Sequence, residues 1–319
     1  MKRSQTASGR TDQRQKNPPL PPSPQDDREI HEPVTEKPRI NAYVLTLVPL
    51  YLFTGIFVLC PLIYMVILSF MTRSESFNVE AIFTLKNYMA IFDPIYLNTF
   101  VQSIKLALIS TSLVILIGYP CGYYMAQLSE KGKRLSMMMI MIPFWTSSLI
   151  RLYGWIIIFR ANGILDKFLM TLHLTDTPLK LLYTYPAVVV GMVYTLLPFM
   201  IFSVYSSAEK LDFSLVEASR DLGAGSARTF FSVSFPLTLP GLLSGVVLTF
   251  VPSMGLFFLA DILGGNKIVL IGTVIQEQLT KARNWPFAAA LSVALMLLTS
   301  LFIFLYRRIT KTGELEGLV

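Results

Sequence analysis

From Tyr183 to Ile262 the chain reads YTYPAVVVGMVYTLLPFMIFSVYS (183–206), then SAEKLDFSLVEASRDLGAGSARTFFSVSFPL (207–237), then TLPGLLSGVVLTFVPSMGLFFLADI (238–262). The two flanking runs are apolar and carry one ionisable residue between them, Asp261 near the very end. Each is long enough to cross a hydrocarbon core of about 30 Å at 1.5 Å per residue. The middle stretch holds charges of both signs and a helical pattern, so it belongs in water. A polar segment of this length between two membrane helices is more than a connector.

The same pattern extends through the chain. Apolar runs at roughly 43–70, 98–127, 135–160 and 286–306 bring the expected number of membrane helices to six. The third opens on Met137-Met138-Met139-Ile140-Met141. The expected fold class is therefore all-α and polytopic. Loop 128–134 reads as a tight basic turn, and 71–97 is long enough to carry a short helix outside the membrane. Composition agrees: 53% of the 319 residues are hydrophobic and 15% charged, against about 25% charged in ordinary soluble domains. A water-soluble enzyme and a secreted disulfide scaffold are both excluded. Cys60 and Cys121 lie in apolar runs without ligand spacing, and His31 and His173 have no cluster around them, so no metal or cofactor is expected.

The charges are uneven. Residues 1–40 hold 14 of the 47 charged residues and 7 of the 19 prolines; this stretch is expected to be a disordered tail, because it has too little apolar area to offset the entropy of ordering. The remaining divisions are 41–97, the first helix and an external segment; 98–306, the membrane core with loop 207–237; and 307–319, a C-terminal tail. The net charge of +7 does not point to nucleic acid, since the basic residues cluster at the ends of apolar segments. With the N-terminus inside, 17 Lys and Arg fall in the tail, loops 128–134 and 207–237, and the C-terminal end. Seven fall outside: Arg73, Lys86, Lys167, Lys180, Lys267, Lys281 and Arg283. Both termini are expected in the cytoplasm.

Within 207–237, Asp212 or Ser214 can cap a helix start, and Ser214 with Glu217 has the spacing of a capping box. Leu215, Ala218 and Leu222 share a face, Gly223 can end the helix in a left-handed turn, and Ser226 can begin a second helix. Pro236 and Pro240 mark re-entry into the membrane. The expectation is a helix, a tight turn and a second helix, lying along the cytoplasmic surface.

Glu217-Ala218-Ser219, Gly223 and Val233-Ser234-Phe235-Pro236 together resemble the Glu-Ala-Ala…Gly…Ile-x-Leu-Pro loop of the binding-protein-dependent ABC importer permeases. Ser219 stands for the second Ala, a small-for-small exchange. In that family the loop docks in a groove of a cytosolic ATPase, so the resemblance implies coupling roles for Glu217, Ala218, Ser219, Asp221 and Gly223. Pro143 to Arg151 (PFWTSSLIR), Tyr153-Gly154-Trp155, Leu197 to Met200, Asp261 to Gly265 and Asn284 to Phe287 are similar to the spermidine/putrescine permeases of the family. The resemblance runs from about 41 to 310. It implies a type I permease fold in the bacterial cytoplasmic membrane, working with an ATPase dimer, a second and distinct permease, an extracytoplasmic substrate-binding protein and membrane lipid.

A linear polycation calls for carboxylates and aromatic faces along its route. Trp145, Arg151, Tyr153, Asp261, Glu277 and Trp285 are the candidate path residues, with Trp155 beside them. Arg151 is expected either to pair with an acid such as Asp261 and organise a gate, or to snorkel toward the outer surface. No Gly-x-x-x-x-Gly-Lys-Ser/Thr loop occurs: ahead of Gly132-Lys133 the required glycine is Gln127. ATP chemistry is thus expected from a partner, and the chain is expected to be non-catalytic. The alternatives are a permease for ferric iron or an inorganic anion and, from another class, an ion-coupled secondary transporter, which needs an inverted repeat or a midplane ion site.

Overall fold

The computed structural model describes residues 40–74 and 77–310. The expected tail thus lies outside the described residues up to position 39, as does the C-terminal stretch 311–319. The chain divides into two compact units, 1–58 and 59–319. In the first, α1 (Ile40–Thr54) leads into the π-helical turn Gly55–Leu59, and the Phe53 and Phe57 rings stack with centroids 4.8 Å apart.

The second unit is helical apart from one short hairpin. Its elements are α2 (Cys60–Ser69), β1 (Thr72–Arg73), β2 (Val79–Glu80), α3 (Lys86–Ile91), α4 (Pro94–Ala126), α5 (Glu130–Trp145), α6 (Ser148–Phe159) and α7 (Ile164–Thr171). There follow α8 (Tyr185–Ala208), α9 (Phe213–Asp221), α10 (Ser226–Thr229), the π turn Phe230–Ser234, α11 (Phe235–Gly255), α12 (Phe257–Gly264), α13 (Ile271–Thr280) and α14 (Trp285–Thr310). Among the described residues six stretches are long and apolar enough to cross a membrane: Leu47–Ser69, Pro94–Ala126, Ser148–Thr171, Tyr185–Ala208, Ser226–Gly255 and Trp285–Arg308. The short helix expected in 71–97 is α3, held by the Asn87 side chain donating to the carbonyls of Ser69 and Met71 at 2.9 Å each.

The packed centre is α4, α8 and α11. Leu106, Val114, Val188, Met192, Leu196, Met200, Val204, Phe250 and Met254 are buried there. Lipid offers no hydrophobic drive between helices, so close approach through small residues carries the packing. At Gly122 a methyl group would stand 2.6 Å from the Ile201 carbonyl, and at Gly241 it would stand 2.6 Å from that of Ser203. α14 packs on this trio through the stacked Phe250 and Phe302 rings, 3.8 Å apart.

Two expected spans are drawn differently. The third, expected as one helix over 135–160, breaks at Thr146–Ser147 into α5 and α6. Pro143 lacks the N–H a helix would use, and the Thr146 hydroxyl takes the Pro143 carbonyl at 2.6 Å. Thr146 turns extended (φ −73°, ψ 154°), and Ser147 becomes the N-cap of α6. A Thr-Ser-Ser run that can bond its own backbone competes with the helix here. The fifth span starts earlier than expected: Ser226 to Gly255 is one continuous helical run, so the second helix of the loop and the membrane helix are a single rod. It stops at Leu256 (φ −77°, ψ 53°), which leaves Asp261 in a separate helix, α12, and not at the end of the fifth span. The π turn sits just before Pro236, whose ring would otherwise crowd the Ser232 carbonyl one turn back.

Candidate functional site

Segment 207–237 is built from its caps. The Asp212 carboxylate accepts the Ser214 N–H at 3.0 Å and is the N-cap of α9. Ser214 itself lies in the first turn, so the expected Ser214–Glu217 capping box does not form: a cap needs a residue still outside the helix. The Ser214 hydroxyl, and then its N–H, hold the Asp212 carboxyl below its ordinary range. At the other end Gly223 is left-handed (φ 86°). Its N–H donates to the Arg220 carbonyl at 2.8 Å, and the Ala224 N–H donates to the Ser219 carbonyl at 3.1 Å. This 5→2 and 6→1 pair is a Schellman stop. A residue with a Cβ is strained at this φ.

The face of α9 that packs on the chain is carried by Val216, which is buried, and by Ser219, whose hydroxyl lies 3.2 Å from the buried Thr229 Oγ1. Leu215, Ala218 and Leu222 do share a face, as their spacing implied, but that face is bare; Leu222 is 89% exposed. With Gly223, Ser232, Val233, Pro236 and Leu237 these residues line an open groove of about 580 Å³. On the other flank of α9, Glu217 and Arg220 line a second groove with Tyr123, Tyr124 and Phe231. Glu217 and Asp221 are both exposed.

The rod that follows α9 is tied to α4 by hydroxyl groups that the sequence reading passed over. Tyr123 donates to Ser234 Oγ at 2.9 Å. Tyr119 Oη and Thr238 Oγ1 lie 2.7 Å apart, and Thr238 donates onward to the Ser234 carbonyl at 2.8 Å. Phe230 sits edge-on to both tyrosine rings. Tyr119 and Tyr123 are spaced by one turn, as are Ser234 and Thr238, and that doubled spacing was the available signal. A second tie sits below α8: Lys133 reaches Glu130 at 3.1 Å and Glu209 at 3.6 Å, and Tyr205 donates to Glu209. The Glu130 carboxylate, then Glu209, raise the Lys133 ammonium above its ordinary value.

The candidate path residues do not form one cluster. Asp261 and Glu277 come together, on α12 and α13. The Asp261 carboxylate accepts from Thr273 at 3.0 Å, and Glu277 pairs with Lys281 at 2.6 Å. Lys281 is raised by Glu277 first and also feels Asp261. Trp285 stands apart, in a groove of about 420 Å³ with Phe77, Val79 and Arg283. Trp145 and Tyr153 are exposed around the break in the third span, whereas Trp155 packs inward on Tyr194 and Phe159. Arg151 does not meet Asp261. Its guanidinium lies 5.6 Å from the Phe144 ring and 5.7 Å from the Tyr194 ring, and among the described residues no carboxylate is within ion-pair distance of it. α6 packs on both α8 and α12, but the Asp261 carboxylate on α12 is engaged by Thr273.

The model of the family described as "Binding-protein-dependent transport system inner membrane component" matches residues 118–312. The spermidine/putrescine transport system permease protein PotB of Escherichia coli (strain K12) is 42% identical over 265 residues, covering 82% of this chain and 96% of that protein. PotB of Haemophilus influenzae is 42% identical over 255 residues, covering 80% and 89%. Among solved structures, a bacterial alginate ABC transporter in complex with alginate pentasaccharide-bound periplasmic protein contains a chain with the same fold (TM-score 0.66, 16% identity, 86% of this chain and 95% of that one). With the six apolar helices, the family match and the extent of these likenesses, the chain belongs to the inner membrane components of binding-protein-dependent transport systems.

Proposed function

We propose that this chain is one permease subunit of an ATP-driven importer for polyamines of the spermidine/putrescine class, forming the membrane path with a second permease. Both termini face the cytoplasm, which puts segment 207–237 on the cytoplasmic side. There a cytosolic ATPase dimer engages α9, and an extracytoplasmic binding protein delivers cargo on the other side. The observation that carries this reading is the bare face of α9. A helix capped at both ends by its own residues is rigid, yet Leu215, Ala218 and Leu222 cover nothing in this chain. A short rigid helix with an uncovered apolar face, joined at Gly223 to a rod running from Ser226 to Gly255, is a lever that lacks its motor. Glu217, Ser219, Asp221 and Gly223 shape and orient that lever, and Ala218 lets a partner surface approach closely.

Transport needs no covalent step from this chain. Nucleotide binding to the motor biases the helix bundle between two arrangements, and each state must make different contacts with motor and cargo. Asp261 and Glu277 set two carboxylates beside Lys281, a corner that suits a positively charged guest. The aromatic faces of Trp145, Tyr153 and Trp285 suit ammonium groups. The likeness to spermidine/putrescine permeases supports the polyamine class.

The test uses a strain that has lost this chain and every redundant polyamine system. Radiolabelled spermidine uptake returns with the wild-type chain. It does not return with Leu222→Asp, which puts a charge on the bare face; that variant keeps normal membrane abundance but loses co-purification of the ATPase. Normal spermidine uptake in the uncomplemented strain removes the polyamine assignment. Full ATPase recovery with Leu222→Asp removes the lever.

A further inference from the structure

Arg151 is a charged group whose surroundings within the described residues leave a buried donor unsatisfied. It lies against Tyr194, which at 1.5 Å per residue is about 14 Å from the Tyr185 end of α8 and about 21 Å from its Ala208 end. The guanidinium is therefore well inside the membrane, where an uncompensated charge is costly. Its Nε is buried and has no hydrogen-bond partner among the described residues. Two rings offer it cation–π contact, which neutralises nothing.

The same side of α6 carries a second unexplained feature. Gly154 follows Arg151 by three residues and Ile150 by four, so the three share a face. A methyl group added at Gly154 would meet no atom within 4 Å. The notch therefore serves no packing in this chain, unlike Gly122 and Gly241. Ile150 beside it is 70% exposed. Small residues in membrane helices let a neighbouring helix approach closely, and here the neighbour is missing.

A second copy of this chain cannot complete the site. Across the six apolar spans the only acid is Asp166, and it is buried, accepting the Asn162 and Leu179 N–H groups at 2.8 and 3.2 Å. Asp261, just beyond the fifth span, is held by Thr273. We infer that the Ile150–Arg151–Gly154 face of α6 receives a helix of a distinct second permease, and that this helix carries a carboxylate opposite Arg151. The pairing makes the permease pair obligately mixed. It also removes a bare cation that would repel a polycationic cargo. This inference rests on the reading of the chain as one of two permeases. It adds which face meets the other, by what chemistry, and why two copies of this chain do not suffice.

The experiment uses the complete complex in native membranes. Ile150 is replaced by the photo-crosslinking residue p-benzoylphenylalanine, and after irradiation the adduct is identified by mass. The expected adduct joins this chain to the second permease. Arg151→Met lowers recovery of the second permease by on the order of tenfold, as truncation of one member of a desolvated charge pair does. Suppressors of Arg151→Met then map to a single Asp or Glu of that permease changed to a neutral residue. Gly154→Leu, which leaves the charge in place and whose Cβ meets no atom of this chain within 4 Å, lowers recovery as well. Adducts found only with lipid or with a second copy of this chain overturn the inference. So does unchanged recovery in both Arg151→Met and Gly154→Leu. If the wild-type chain recovers no second permease at all, the underlying reading fails, and that result is distinct from any of these.

Discussion

The α4–α8–α11 trio and the broken third span both contain stretches apolar enough for a membrane, yet they are held in opposite ways. In α8 eleven of 24 residues are buried; in α5, sixteen residues long, none is. The trio closes on itself through Gly122, Gly241 and the tyrosine–hydroxyl ties, whereas α5 rests on a few edges: Phe144 against Phe199, Met137 and Ile140 against the Tyr205 end of α8, and Lys133 on Glu209. One region is a finished core. The other is a surface awaiting something, and α5 and α6 together expose Trp145, Leu149, Ile150, Tyr153 and Ile157. Hydropathy cannot tell these apart, because a helix facing lipid or a partner chain is as apolar as one facing its own core.

The largest way to break that contrast is to exchange the two regions' tolerance of volume. Gly122→Leu drives a side chain into the Ile201 carbonyl and Val204. Overpacking costs about 1–3 kcal/mol even where side chains can yield, and a backbone carbonyl cannot, so the expected result is loss of most membrane-inserted, detergent-stable protein. Met139→Ala, at an exposed position of α5, should leave yield and melting temperature of the isolated chain unchanged. Both are read by fluorescence-detected size exclusion of the solubilised chain. If Met139→Ala destabilises the isolated chain as much as Gly122→Leu, α5 has a core contact and the contrast is false.

A smaller effect tests how the finished core holds the lever. Tyr123→Phe removes the bond to Ser234 and leaves the edge-on contact with the Phe230 ring in place. A net contribution of about 1 kcal/mol is the usual worth of such a bond, so a drop of a few degrees in melting temperature is expected. A larger change is expected in function: ATPase activity persists while uptake per ATP falls, because the rod from Ser226 is no longer registered on α4. A parallel loss of ATPase activity and uptake, with the ratio unchanged, marks the tie as merely structural.

What was legible in the sequence follows the same division. The six apolar stretches, the stop at Gly223 and the shared face of Leu215, Ala218 and Leu222 were readable because each depends on local spacing. The break at Thr146–Ser147 was missed since the apolar stretches on either side of Thr146-Ser147-Ser148 read as one run, and Pro143 alone does not end a membrane helix. The continuous rod was missed for the opposite reason: Pro236 reads as a boundary, but at the first turn of α11 its absent N–H costs little. For Arg151 the sequence offers either a pairing with Asp261, because both are ionisable and near the membrane, or a snorkelling side chain. Thr273, on a third helix, took that carboxylate instead, and no local pattern announces a contact of that kind.

The smallest expected effect lies at Asp212, where the lever begins. Its carboxyl is held below the ordinary range by the Ser214 hydroxyl and N–H. A depressed value means the folded state binds its proton less readily than the unfolded one. The cap's contribution is thus complete above the ordinary carboxylate value and lost as pH falls through the lower folded value. Asp212→Asn still offers an oxygen to the Ser214 N–H but has no charge to titrate. Hydrogen exchange of the α9 amides, followed from neutral to acid pH in the purified complex, should therefore show slightly better protection in the wild type at neutral pH. The two should converge at the acid end. If the gap is unchanged at every pH, the charge on Asp212 does nothing for α9. Helix order would then come from its seat on Val216 and Thr229, and the lever would be held like the trio, by packing alone.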